Sequence, residues 1–321
     1  MEKNALSCLL ILSFICGVSF AAPESVEAEF DYETGIWETE FDLSSGYRQD
    51  DFDWNIAGDI DGQNPNILSE LKWRDLRIVQ INANSKFIYD KKFRLECLLG
   101  YGRIYNGDNQ DSDYSGDDRT LEFSRSNNKT EGNNISNWSI GVGYQFNLDK
   151  VAENLAFENI IFTLLEGYSQ YNQYLTITDG YQTIPDTGAF DGLHSTYDTV
   201  WKGPWLGAEL EGTKGKIIGF ARFEYHWADY DADADWNLRG DFAHPVSFSH
   251  KANGKGNILT LGAGYNLNNN CALYLKTNIQ RWETEDGLDR TFFSDNTSTT
   301  TRLNGVNWKS TAILIGIKFR I

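Results

Sequence analysis

Apolar and polar residues alternate one for one through most of the chain. Phe93, Leu95, Cys97, Leu99 and Tyr101 share one parity, with Arg94, Glu96, Gly100 and Gly102 on the other. Trp138, Ile140, Val142, Tyr144 and Phe146 alternate with Ser139, Gly141, Gly143 and Gln145. Phe223, Tyr225 and Trp227 face away from Arg222, Glu224 and His226, and Ile313, Ile315, Ile317 and Phe319 from Gly316, Lys318 and Arg320. A period of two marks strands whose two faces meet different surroundings. Ten such segments are expected, at 26–43, 66–88, 92–107, 134–148, 158–178, 196–212, 216–230, 246–266, 271–285 and 303–321.

The polar parity carries Arg, Glu, Lys and His in mid-strand with glycines between them, as a wet lumen requires. The apolar parity ends repeatedly in Tyr, Trp or Phe, where aromatic girdles sit at membrane interfaces. The pattern therefore predicts an all-β chain: a single transmembrane antiparallel β-barrel of about ten strands. Short turns, such as Asp90-Lys91-Lys92 and Gly212-Thr213-Lys214-Gly215, belong to the periplasmic side. Long connections over 44–65, 108–133, 179–195, 231–245 and 286–302 belong outside.

Composition narrows the class. Net charge is −18, which argues against nucleic acid as a partner, because phosphate binding needs a basic surface. Aromatics make up 14%, far too many for a disordered chain. Residues 1–21 read as an export signal, with Ala5 to Phe20 as its apolar stretch and Ser19-Phe20-Ala21 as its cleavage pattern. Residues 22–321 then form one barrel domain of the bacterial outer membrane, with outer-membrane lipid as its surroundings. Cys97 and Cys271 fall on well-separated strands, so no disulfide is expected.

Acidic residues concentrate in the long connections: Asp50, Asp51, Asp53, Asp59 and Asp61 in the first, Asp108, Asp111, Asp113, Asp117 and Asp118 in the second, Asp231, Asp233, Asp235 and Asp241 in the fourth. Asp111, Asp113, Asp231, Asp233 and Asp235 are expected to form an acidic extracellular mouth that attracts cations or cationic peptides. The run Asp231 to Asp235 opens like a calcium loop. It has Trp236 where the turn glycine belongs and Phe242 where the closing Glu belongs, so no metal site is predicted, and no cofactor.

Several motifs, in order, resemble those of the omptins, ten-stranded outer-membrane aspartic proteases. They are Ser69-Glu70-Leu71-Lys72-Trp73-Arg74, Asp111-Ser112-Asp113-Tyr114, Gly167-Tyr168 followed by Tyr174, and Lys202-Gly203-Pro204-Trp205-Leu206-Gly207. Omptins activate water between a paired Asp and a facing Asp–His pair. The resemblance implies that Asp111 and Asp113 supply the first pair and Asp233 the opposing acid, while Asp235 holds the histidine position. The i, i+2 spacing puts Asp111 and Asp113 on one face of a strand, where mutual repulsion raises one pKa. His226, a lumen residue beside Arg222 and Glu224, and His244 are the nearest histidines in sequence. Ser169, Gln170 and Asn172 occupy the stretch where omptins place lipopolysaccharide-binding side chains. In overall style the chain is also similar to the Protochlamydia outer membrane protein family. The expected function is a non-proteolytic barrel: a narrow cation-favouring pore, an adhesin or a structural envelope protein. The alternative is an aspartic endopeptidase for cationic peptides built on Asp111, Asp113 and Asp233.

Overall fold

A computed structural model describes residues 36–155 and 157–321. The export signal and the start of the first expected strand lie outside the described residues. The strands are β1 (Trp37–Ile56), β2 (Ser69–Tyr89), β3 (Phe93–Gly116), β4 (Thr120–Lys129), β5 (Asn134–Asn147), β6 (Asn159–Ile184), β7 (Asp186–Ala189), β8 (Ser195–Lys214), β9 (Ile217–Asp235), β10 (Phe248–Asn266), β11 (Cys271–Thr284), β12 (Gly287–Phe292) and β13 (Ser298–Arg320). A short helix, α1 (Asp149–Asn154), sits between β5 and β6.

All pairings are antiparallel, and β1 bonds to both β2 and β13, so the sheet closes on itself. β4 and β5 both lie between β3 and β6 and make one interrupted stave. β11 and β12 do the same between β10 and β13, and β7 only extends β6. Thirteen strands thus give ten staves, the number the alternation predicts.

The long connections are shorter than expected. β1 runs 20 residues, β3 24, β6 26 and β13 23, against the roughly 9–11 that cross a bilayer. Most of 44–56, 108–116 and 231–235 is therefore strand, and the β3–β4 link shrinks to a turn at Asp117–Arg119. Each stave has a membrane half near the chain ends and a projecting half beyond it. The pattern inverts between them. On β1, Leu43 and Tyr47 face out over inward Asp42 and Arg48; farther on, Phe52 and Trp54 face in under outward Asp51 and Asp53. β9 repeats this, with Phe223 and Trp227 outside, then Tyr230, Ala232 and Ala234 inside. Lipid selects apolar outward residues in one half; water outside and a dry interior select the reverse in the other.

A bulge accompanies the change on β2. Trp73 and Leu76 both point inward, three residues apart instead of two, around Asp75 at φ 53°. Asp51 accepts the Asp75 backbone N–H at 3.0 Å, and Gln49 donates to the Asp75 side chain at 2.7 Å. Aromatic girdles bound the membrane half. Trp37–Tyr89 and Phe93–Tyr144 lie at one interface, Tyr47–Tyr105 and Tyr225–Trp227 at the other.

Candidate functional site

The lumen of the membrane half is filled by ion pairs that cross it from several staves. Arg94 donates to Glu209 at 2.6 Å and Lys86 reaches the same carboxylate at 3.2 Å. Arg222 holds Glu96 at 2.6 Å, and Glu224 accepts from His226 at 2.9 Å. The other His226 nitrogen meets the Ser169 hydroxyl at 3.1 Å. Arg48 and Asp50 pair at 2.6 Å, and Lys318 and Glu40 at 3.1 Å. Among the described residues of this network, Arg48, Lys86, Arg94, Arg222, Lys276, Lys318 and Arg320 equal Glu40, Asp42, Asp50, Glu96, Glu209, Glu211 and Glu224 in number, so the network's formal charges balance. Within this network lies a cavity of about 140 Å³ bordered by Lys86, Tyr171, Glu209 and Lys276. A vestibule of about 610 Å³ at the rim of the chain ends shares Lys86 and Glu209 with it.

An aromatic core caps the network. Trp282 stacks on Trp308 at 5.5 Å, and Trp201 packs against Tyr230 at 4.5 Å. Farther out, Tyr197 lies between Trp54 at 5.7 Å and Trp73 at 5.4 Å. Trp73, Tyr197 and Trp201 are 0% exposed and Trp308 1%, so the rings fill the bore. One polar chain runs through this core. Tyr230 and Tyr197 hydroxyls meet at 2.7 Å, Tyr197 meets His250 Nδ1 at 2.8 Å, and His250 Nε2 meets Asp289 at 3.1 Å. Thr301 donates to the other Asp289 oxygen at 3.0 Å. A neutral His250 protonated on Nε2 gives every atom of the chain a partner. Burial, with Tyr230 alongside, pushes the Tyr197 hydroxyl well up.

The expected acidic mouth divides between two faces of the wall. Asp111 and Asp113 point into the cleft at the open end, beside Ser69, Ser124 and Trp236, with Arg239 nearby. Burial raises both carboxyls, and the charge of Asp113 raises Asp111 further. Asp231, Asp233 and Asp235 face the other way. The inward positions of that segment are Ala232 and Ala234, 4% and 2% exposed. Asp231 pairs with Lys202 at 3.1 Å on the outer surface, and Asp235 with His244 at 2.6 Å. The expected opposing acid, Asp233, is therefore not across the cleft from Asp111. Once 231–235 is strand, its odd positions fall outside. The lumen setting expected for His226 holds. His250 was legible only from the inward parity of Phe248 and His250; its link to Asp289 needs the β10–β12 register.

A closed antiparallel ring with a polar lumen and two aromatic girdles defines an outer-membrane β-barrel. The profile of the Protochlamydia outer membrane protein family matches residues 42–321, and the chain belongs to that family, in the bacterial outer membrane. No curated protein matches. Among solved structures, the outer membrane protease OmpT from Escherichia coli superposes with a TM-score of 0.72 at 14% identity, over 90% of this chain and 99% of that one. The translocator domain of autotransporter NalP from Neisseria meningitidis aligns at 13% identity over 90% of each chain, with a TM-score of 0.38. The first likeness establishes an omptin-like fold. The rim of short turns is thus periplasmic and the projecting half extracellular.

Proposed function

We propose that the protein is a non-proteolytic, non-conducting surface barrel of the adhesin type, whose Asp111–Asp113 cleft binds cationic groups. The observation that carries this reading is the aromatic core across the bore, from Trp54 and Trp73 to Trp282 and Trp308. Stacked rings without a water path are a poor ion route, and the neutral network behind them offers no cation preference. The inward Ala232 and Ala234 supply neither acid nor base opposite Asp111 and Asp113, which argues against water activation in the omptin manner. What remains in the cleft is a carboxyl pair suited to a guanidinium or ammonium group.

The refolded barrel in planar bilayers is expected to give no conductance steps, whereas a Trp282→Ala/Trp308→Ala variant opens a path. A fluorogenic Arg-Arg peptide is expected to bind uncleaved, about tenfold more weakly to Asp111→Asn/Asp113→Asn. Because both carboxyls are raised, binding weakens on acidification. Steady conductance by the parent barrel, or cleavage abolished by the double substitution, refutes the reading.

A further inference from the structure

One ammonium in the lumen lacks a close partner. Lys276 points inward from β11 with its side chain 14% exposed, and it meets the Asp42 carboxylate at 3.9 Å and the Tyr274 ring at 5.2 Å. Neither contact is a hydrogen bond, and among the described residues no other acceptor holds its Nζ. The Asp42 oxygen nearest to it already accepts the Tyr274 hydroxyl at 2.7 Å. Lys86 and Lys318, by contrast, hold Glu209 at 3.2 Å and Glu40 at 3.1 Å. The charges acting most strongly on Lys276 are one acid, Asp42, and three cations, Lys86, Lys318 and Arg222.

A second donor stands beside it. Gly262 on β10 is the register partner of Lys276, and Thr260 is the neighbouring inward residue of that strand. The Thr260 hydroxyl accepts Asn278 Nδ2 at 2.8 Å, and Asn278 accepts Gln280 Nε2 at 2.7 Å. Among the described residues, the Thr260 proton has no acceptor. Lys276 and Thr260 both border the cavity of about 140 Å³. The rest of its wall includes Leu98, Phe220, Ile258 and Leu314, apolar residues on the parity that elsewhere carries the lumen's polar groups. A Cβ on Gly262 would strike the Phe220 ring and one on Gly316 the Tyr274 ring, so both rings lie back against the wall and leave the space open. A space of this size holds a molecule as large as benzene.

We propose that this cavity binds a small monocarboxylate with a short hydrocarbon tail, drawn from the periplasm. Two neighbouring donors without acceptors match the two oxygens of a carboxylate, and the secluded ammonium gains the partner it lacks. Leu98, Ile258 and Leu314 receive the tail. The vestibule shares Lys86, Glu209 and Glu211 with the cavity and is the way in, while the aromatic core closes the other side. The site is separate from the Asp111–Asp113 cleft and does not depend on it.

The test is methyl NMR of the refolded barrel, isotope-labelled at leucine, in neutral detergent micelles. Butyrate is expected to shift the Leu98 and Leu314 methyls along a saturable curve and to leave the lipid-facing Leu273 and Leu275 unmoved. Butyramide, alike in shape and uncharged, is expected to bind about tenfold more weakly. Lys276→Met keeps the stem and removes the charge, and Asp42→Asn/Lys276→Met also keeps the balance of the network. Each is expected to bring butyrate down to the level of butyramide, with folding verified by heat-modifiable gel mobility. Thr260→Val is expected to weaken butyrate about threefold. Equal binding of butyrate and butyramide by the parent barrel, or a preference that survives in the folded double variant, overturns the proposal. So does movement of Leu273 and Leu275 together with the cavity leucines, which would mean partition into the micelle. Saturation by chloride at the same concentrations would make the cavity a site for any anion and overturns the carboxylate assignment.

Discussion

Asp198 and Asp233 stand directly opposite each other on β8 and β9, on the outer surface of the projecting half. Like charges so placed repel across the ladder. Burial, and then the charge of Asp233, pushes the Asp198 carboxyl up to about 6 from an ordinary value near 3.8. Between pH 4 and pH 6 the folded chain thus holds a proton that the unfolded chain releases. Stability contributed by this proton is present below that window and lost as pH rises through it. Asp198→Asn is expected to match the parent near pH 4 and exceed it by about 1 kcal/mol at pH 8, after allowance for solvent screening. Urea midpoints at the two pH values check this; an equal difference at both removes the repulsion argument.

β9 illustrates how one element serves two solvents. Phe223, Tyr225 and Trp227 meet lipid on the face that later carries Asp229, Asp231 and Asp233 into water. A charge added to that face should therefore cost according to its height. Ala221→Lys, between the girdles, is expected to destabilise by about 2–4 kcal/mol, and Asp229→Lys, beyond them, by less than about 1 kcal/mol. Unfolding in lipid vesicles measures both; similar costs would mean the membrane boundary on β9 is misplaced. The same inversion explains what sequence alone disclosed. Membrane halves were legible because apolar residues keep one parity there, and their number fixed ten staves. Projecting halves were not, because the apolar set changes sides, so Phe52 and Trp54 look like stray residues among aspartates. A loop has no parity, so nothing in the sequence of 231–235 shows that Asp233 faces outward; the strand does, by placing Ala232 and Ala234 inside. Asp111 and Asp113 were correctly grouped because their i, i+2 spacing holds in any extended segment. The His250–Asp289 contact joins residues 39 apart and depends on a register no local pattern encodes.

At the scale of the molecule, the aromatic core and the vestibule lie at opposite ends of one bore. With Cys97 and Cys271 replaced by alanine, Asn84→Cys places a thiol on the inner cavity wall. A small charged thiosulfonate is expected to label it from the periplasmic face of a vesicle and not from the extracellular face. Equal labelling from both faces would place a water path through the rings. The interior is in this sense an annexe of the periplasm. Ions and small solutes of that compartment reach Glu209 and its partners through the vestibule, while the medium outside the cell can change without their registering it.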